Sequence, residues 1–242
     1  MAQDQEKLRI SFFHIGDNTD QANMFCESVK KIFDQSAEII QISDAKSSKA
    51  KGIDKIFRSS QFKKESIMLS RMIGYSQLLR LEPKPTVFFD TDMLIMKRFR
   101  INFNGKPILC LRSYDKQKLL KEYPYRTQST KTIRFPEHKG QLLGDLYPYV
   151  GCFYADTSDI FLNKAIKIYE SLHKKYHFWF GDQIALREAA KNTNILTIDE
   201  SKIACDPSEY NGLQKEAIAI HFKGSKNKEL MKDTFERIFK NE

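Results

Sequence analysis

Apolar and polar positions along the chain fall into two rhythms. The run LRISFFHI, Leu8 to Ile15, is short, apolar and rich in Phe and Ile, and predicts a buried strand. Gly16, Asp17 and Asn18 then supply turn chemistry. Met24, Phe25, Val29, Ile32 and Phe33 recur at helical spacing. EIIQI at 38–42 predicts a second strand, and the polar DAKSSKAKG at 44–52 a flexible loop. Met68, Leu69, Met72, Ile73, Tyr75 and Leu79 predict a helix over 65–81, which Pro83 and Pro85 end. Thr86 to Phe89 form the next strand.

Strand, helix, strand, helix, strand opens an α/β sheet with parallel strands. Further strands are predicted at 107–111, 152–154, 195–198 and 217–222, and helices at 159–174, 183–191 and 229–240. Residues 113–148 hold many Lys, Tyr and Pro with little periodicity. They predict a long loop or small subdomain over the sheet edge of a single domain; such loops are uncommon unless functional or disordered.

Length and composition narrow the class. The 242 residues suffice for one large domain or two small ones. With 41% hydrophobic and 12% aromatic residues the chain is globular rather than disordered. No apolar run approaches the roughly 18 residues of a membrane span. The start, MAQDQEKLRI, has no apolar signal region. Cys26, Cys110, Cys152 and Cys205 are scattered, which fits reduced thiols in the cytoplasm better than a disulfide frame or zinc site.

The net charge of +9 favours anionic partners, or simply keeps the surface soluble. It is uneven: residues 46–64 carry seven Lys or Arg against one Asp, and 115–139 carry seven against three acids. Both stretches read as loops, where substrate contacts are often held.

Candidate chemistry sits in FFDTDMLIM, Phe88 to Met96. Asp90 and Asp92 end an apolar strand, and ligands of open α/β sheets bind beyond such carboxyl ends. Two close carboxylates repel unless a cation lies between them. A hard ion, Mg²⁺ or Mn²⁺, resolves that conflict and commonly holds phosphates too. The plainer role for Asp at a strand end is a turn residue. A second apolar strand, AIAIHFKGSKNK at 217–228, runs into His221, Gly224, Lys226 and Lys228. Imidazole can complete a carboxylate site for Mn²⁺, glycine lets backbone approach a phosphate, and lysines add charge. Alone, His221 reads rather as a core histidine at the end of a strand; the two strand-end clusters together favour a ligand.

The helix SRMIGYSQLLRL, the strand FFDTDMLI, then YVGCFYAD, FGDQIAL and HFKGSKNK stand in an order that resembles GT-A fold glycosyltransferases, of the family 8 type that includes glycogenin and lipopolysaccharide galactosyltransferases. The resemblance spans about residues 8–228. It implies transfer of a hexose from a nucleoside diphosphate sugar, UDP-galactose or UDP-glucose, to a glycan or lipid-linked acceptor hydroxyl, with retention. It implies that Asp90, Asp92 and His221 hold Mn²⁺ or Mg²⁺ and that Gly224 meets the diphosphate. The family's lysine six residues after the histidine is Asn227 here; Lys226 and Lys228 flank it. Asp17 resembles the residue that meets the uracil base, and Arg71 an arginine over the donor. Asp182 and Gln183 match a pair near the sugar. Gly151 matches an acceptor-side turn, with Tyr149 and Val150 replacing the usual Asn-Ala. The segment 113–148 is the expected acceptor region.

Each of these residues has a structural alternative. Asp17 reads also as a turn residue, Arg71 as a solvated helix charge, Gly151 as a close-packing glycine and Asp182 as the cap of a helix beginning at Gln183. The C-terminal stripe of Leu230, Met231, Phe235, Ile238 and Phe239, beside Lys232, Arg237 and Lys240, packs on the domain or rests peripherally on an anionic membrane.

Three other functions compete. A haloacid-dehalogenase-type phosphatase would use Asp90 as nucleophile. Its motif normally opens the domain and is followed by Gly, where Met93 stands, and its later acidic pair would require an acid at Leu186. A sugar nucleotidyltransferase needs a glycine-rich loop after the first strand, and HIGDNTD has only Gly16. A basic, non-enzymatic polyanion-binding protein fits the charge, but no nucleic-acid module is visible, so no nucleic-acid partner is expected.

Overall fold

The computed structural model describes residues 7–62, 66–120, 125–126, 132–133, 135–177, 180–210 and 216–240, with backbone only at 125–126, 132–133 and 225–226. In chain order the elements are β1 (Leu8–Phe13), α1 (Asp20–Phe33), β2 (Ala37–Ser43), β3 (Lys55–Arg58), α2 (Ile67–Leu81), β4 (Thr86–Phe89), β5 (Met93–Ile95) and β6 (Ile108–Leu111). There follow β7 (Tyr125–Arg126), β8 (Thr132–Ile133), α3 (Leu143–Leu146), β9 (Tyr149–Asp156), α4 (Ile160–Ser171) and α5 (Gly181–Ala190). The chain continues with β10 (Leu196–Asp199), α6 (Glu200–Ile203), α7 (Pro207–Tyr210), β11 (Ala219–His221) and α8 (Ser225–Phe235).

Seven strands form one sheet in the order β10-β6-β9-β4-β1-β2-β3. All pairings are parallel except the two made by β9, which runs against β4 and β6. The cause is local. Between β6 and β9 the described residues hold the short β7, β8 and α3 but no crossover helix, which is the route to an antiparallel neighbour.

Alternation along β4 divides the core. Val87 and Phe89 face the layer that holds Phe12, Phe25 and Val29. Phe88 faces the other layer, stacking on Tyr75 of α2 with ring centroids 4.1 Å apart. Burial on both faces explains why these strands read as continuous apolar runs.

Several elements depart from the sequence expectation. β3, KIFR, was not anticipated: it is an edge strand whose Lys55 and Arg58 are exposed. The 44–52 segment is pinned rather than loose. Gln41 bonds Ser48 O (2.9 Å) and Ala50 N (2.8 Å), and Asn23 accepts from Lys51 N at 2.7 Å. β9 covers eight residues instead of three. α5 begins at Gly181, so Asp182 lies inside its first turn and is not its cap. The C-terminal stripe packs inward: Met231, Phe235 and Phe239 bury themselves with Leu94, Ile220 and Phe222, leaving Leu230 exposed. In 113–148, Leu119 bridges Leu142, and Leu120, Leu146 and Tyr147 cluster with Ile184 of α5. Among the described residues no helix is long and apolar enough to cross a membrane.

Candidate metal and ligand site

The acidic pair lies where β4 gives way to β5. Asp90 N still donates to Cys152 O of β9 at 3.0 Å, so its backbone is held by the sheet. β5 then pairs antiparallel with β11, setting Met93 opposite His221, and Phe222 N donates to Asp92 O at 2.8 Å. Two strands distant in sequence thus deliver an imidazole to the acidic turn. His221 Nε2 lies 3.4 Å from Asp92 Oδ1.

One ligand atom each from Asp90, Asp92 and His221 lies within 4.8 Å of the others. Octahedral ligands about 2.1 Å from an ion stand roughly 3–4.2 Å apart, so this trio fits a hard divalent ion with little contraction. The electrostatics agree. Burial raises the pKa of Asp90, against the pull of Arg71, and the charge of Asp92 raises it further. Burial works most strongly to raise Asp92, but the hydrogen bond and charge of His221, with a backbone N–H and Lys228, together outweigh it and hold that carboxyl low. His221 is pushed down by burial, yet Cys152 and Asp92 lift it well above its usual value. Crowded, buried negative charge of this kind is relieved by a cation.

Arg71 is buried in α2 and is not a solvated helix charge. Its Nη1 donates to Asp90 Oδ1 and its Nη2 to Asp182 Oδ2, each at 2.7 Å. Burial opposes the guanidinium charge, and Asp90 and Asp182 more than restore it. Gly151 explains itself here: a Cβ would stand 2.5 Å from Arg71 Nη2 and 2.9 Å from Asp182 Oδ2. Its smallness makes room for the Arg71–Asp182 ion pair.

The structure therefore joins Asp90, Asp92, His221, Arg71 and Asp182 directly. Gln183, one residue on, accepts from Arg112 Nη2 at 2.8 Å. Gly224 opens α8 with φ +87°, a conformation that favours glycine, and Lys228 is exposed in that helix's first turns. The side chain of Lys226 lies outside the described residues. Asp17 is exposed beyond β1, 3.4 Å from Ser48 Oγ, and is not linked to the acidic cluster. Two neighbours escaped the sequence analysis: Arg112, whose signal was a cation directly after the apolar strand ILCL, and Cys152, which left none.

No protein-family profile matches this sequence, and no curated protein matches it. Among solved structures, the chain is similar to a glycosyltransferase involved in the glycosylation of the major capsid of PBCV-1. The TM-score is 0.58 at 11% identity, over 93% of this chain and 99% of that one. At that identity the likeness carries the fold. The chain has a glycosyltransferase fold, with the mostly parallel α/β sheet of the GT-A class.

Proposed function

We propose that this protein is a metal-dependent glycosyltransferase, of the family 8 type, that moves a hexose from a nucleoside diphosphate sugar to a glycan acceptor. The observation that carries this reading is the Asp90–Asp92–His221 trio at the carboxyl edge of a glycosyltransferase fold. Mn²⁺ or Mg²⁺ held there supplies Lewis-acid stabilisation to the departing diphosphate. The chain's own groups do the rest. Asp17 receives the base, and UDP is the nucleotide proposed. Gly224 and the amino end of α8 meet phosphate oxygens, assisted by Lys228 and Lys226. Arg71 keeps Asp90 and Asp182 in register, and Asp182 and Gln183 border the sugar, galactose or glucose. Transfer proceeds with retention.

Calorimetric titration of UDP tests the donor site, with Mn²⁺ and with EDTA, on the wild type and on Asp92→Ala. Metal-dependent binding that the variant loses supports the reading. A folded wild type that binds no UDP, and instead releases phosphate from simple esters, refutes it in favour of a phosphatase.

A further inference from the structure

Arg112 is 6% exposed, yet among the described residues no carboxylate lies within ion-pair distance of it. Its Nε donates to Tyr147 O at 2.7 Å and its Nη2 to Gln183 Oε1 at 2.8 Å, both neutral oxygens. A buried guanidinium with no counter-ion is costly, and such a charge is normally neutralised by something. Among the described residues Nη1 has no acceptor. The one closed-off side-chain polar atom without a partner among the described residues is Gln21 Nε2, so Arg112 Nη1 is not sealed from solvent. The residue is thus anchored by two of its nitrogens and presents the third.

Its place in the sheet says what it faces. Under the transferase reading, on which this inference rests, the donor spans the carboxyl ends of β1, with Asp17, and β4, with Asp90 and Asp92. Arg112 follows β6, two strands from β4 on the side away from β1, a lateral offset of about 10 Å. Its bond to Gln183, next to Asp182, keeps it beside the proposed sugar position. We propose that the acceptor carries an anionic group, a carboxylate or a phosphate, and that Arg112 receives it through Nη1 while holding Gln183 through Nη2. Because guanidinium nitrogens only donate, the Gln183 atom they touch is its oxygen, and its NH₂ is the end left for the ligand.

The test compares glucose, glucuronic acid and glucose 6-phosphate as acceptors, with UDP-galactose and UDP-glucose as donors and Mn²⁺ present, following UDP release. One or both anions should exceed glucose in kcat/KM by on the order of tenfold, the better one separating carboxylate from phosphate. Arg112→Gln should level the three, and Arg112→Lys, which restores a cation, should keep a preference; circular dichroism checks that both fold. If no probe is turned over, ligand-detected NMR of the same three sugars on the Mn²⁺–UDP complex takes the place of rate. Equal response to all three probes overturns the inference, as does an anion preference that survives in Arg112→Gln. Mn²⁺-dependent UDP binding by the wild type is measured alongside. Its loss overturns the transferase reading, whereas its presence without an anion preference overturns this inference alone.

Discussion

Two buried arginines stand at opposite edges of one sheet, and their surroundings differ in a single respect. Arg9, at the amino edge, is 1% exposed and bonds Glu82 Oε2 (2.7 Å), Glu82 O (2.9 Å) and Glu38 Oε2 (3.4 Å). Lys55 adds a second cation 2.8 Å from Glu38. Two cations meet two carboxylates, and the network closes on itself. Arg71, at the carboxyl edge, faces Asp90 and Asp182, with Asp92 beside them. There the acids exceed the arginine, and His221 is shared with Asp92. A balanced network needs nothing further and serves the fold. An unbalanced one is left waiting for a cation, at some expense in stability, and that imbalance marks a site.

The comparison can be broken at either end. The largest effect is expected from Asp92→Ala: calorimetry should show Mn²⁺-dependent UDP affinity falling by more than about 100-fold, the upper range for disturbing a mere outer-sphere partner of a metal. The unfolding temperature should fall only slightly, since the loss of the His221 contact is offset by relief of the repulsion on Asp90; a large drop would show that the edge is structural after all. Arg9→Met should do the reverse. It leaves Glu38 and Glu82 with Lys55 as their only cation and should cost about 2 kcal/mol in denaturant unfolding, discounted because both glutamates keep water contact, while the folded protein binds Mn²⁺–UDP unchanged. Gly151→Ala sharpens the picture at the carboxyl edge. The added methyl must displace Arg71 from Asp182, and kcat/KM should fall by about tenfold with the fold intact.

The smallest effect concerns pH. Burial disfavours ionised Glu38, but Lys55 and Arg9 outweigh it and hold the group below its usual 4.5. A depressed carboxyl contributes stability above its unfolded value and loses it as pH falls through the folded value. Glu38→Gln should therefore be less stable than wild type at neutral pH by about 0.5–1 kcal/mol, and the gap should close in acid. Unfolding curves across pH 3–7 check it; a gap independent of pH would assign the loss to packing.

Much of this was legible in the chain. β4 could be read because burial on both faces leaves TVFF without polar interruption, and DTD then stands out as an abrupt change. His221 was visible for the same reason, at the end of AIAI. β3 was not, because half of KIFR is charged, as an edge strand permits. β9 was under-read because Tyr149 and Gly151, half-exposed at the site, break its apolar run. Asp182 passed for a cap because the helix start was misplaced by two residues. Arg112 is the instructive omission. One arginine after an apolar strand looks like ordinary strand-end polarity, and only its bond to a glutamine 71 residues away shows that it is buried with neutral partners.

The pairing of β5 with β11 has a consequence in time. A chain emerging from the ribosome presents Asp90 and Asp92 early, along with β1, β2 and β4, which can already pair with one another. The imidazole arrives only once β11 has been made, when Met93 finally meets His221. Until then the nascent protein owns two of the three proposed ligands, and an ion would be held loosely. Under the proposed reading, full capture of a metal thus waits on β11, so that ion retention becomes a record of β11 having been made and docked.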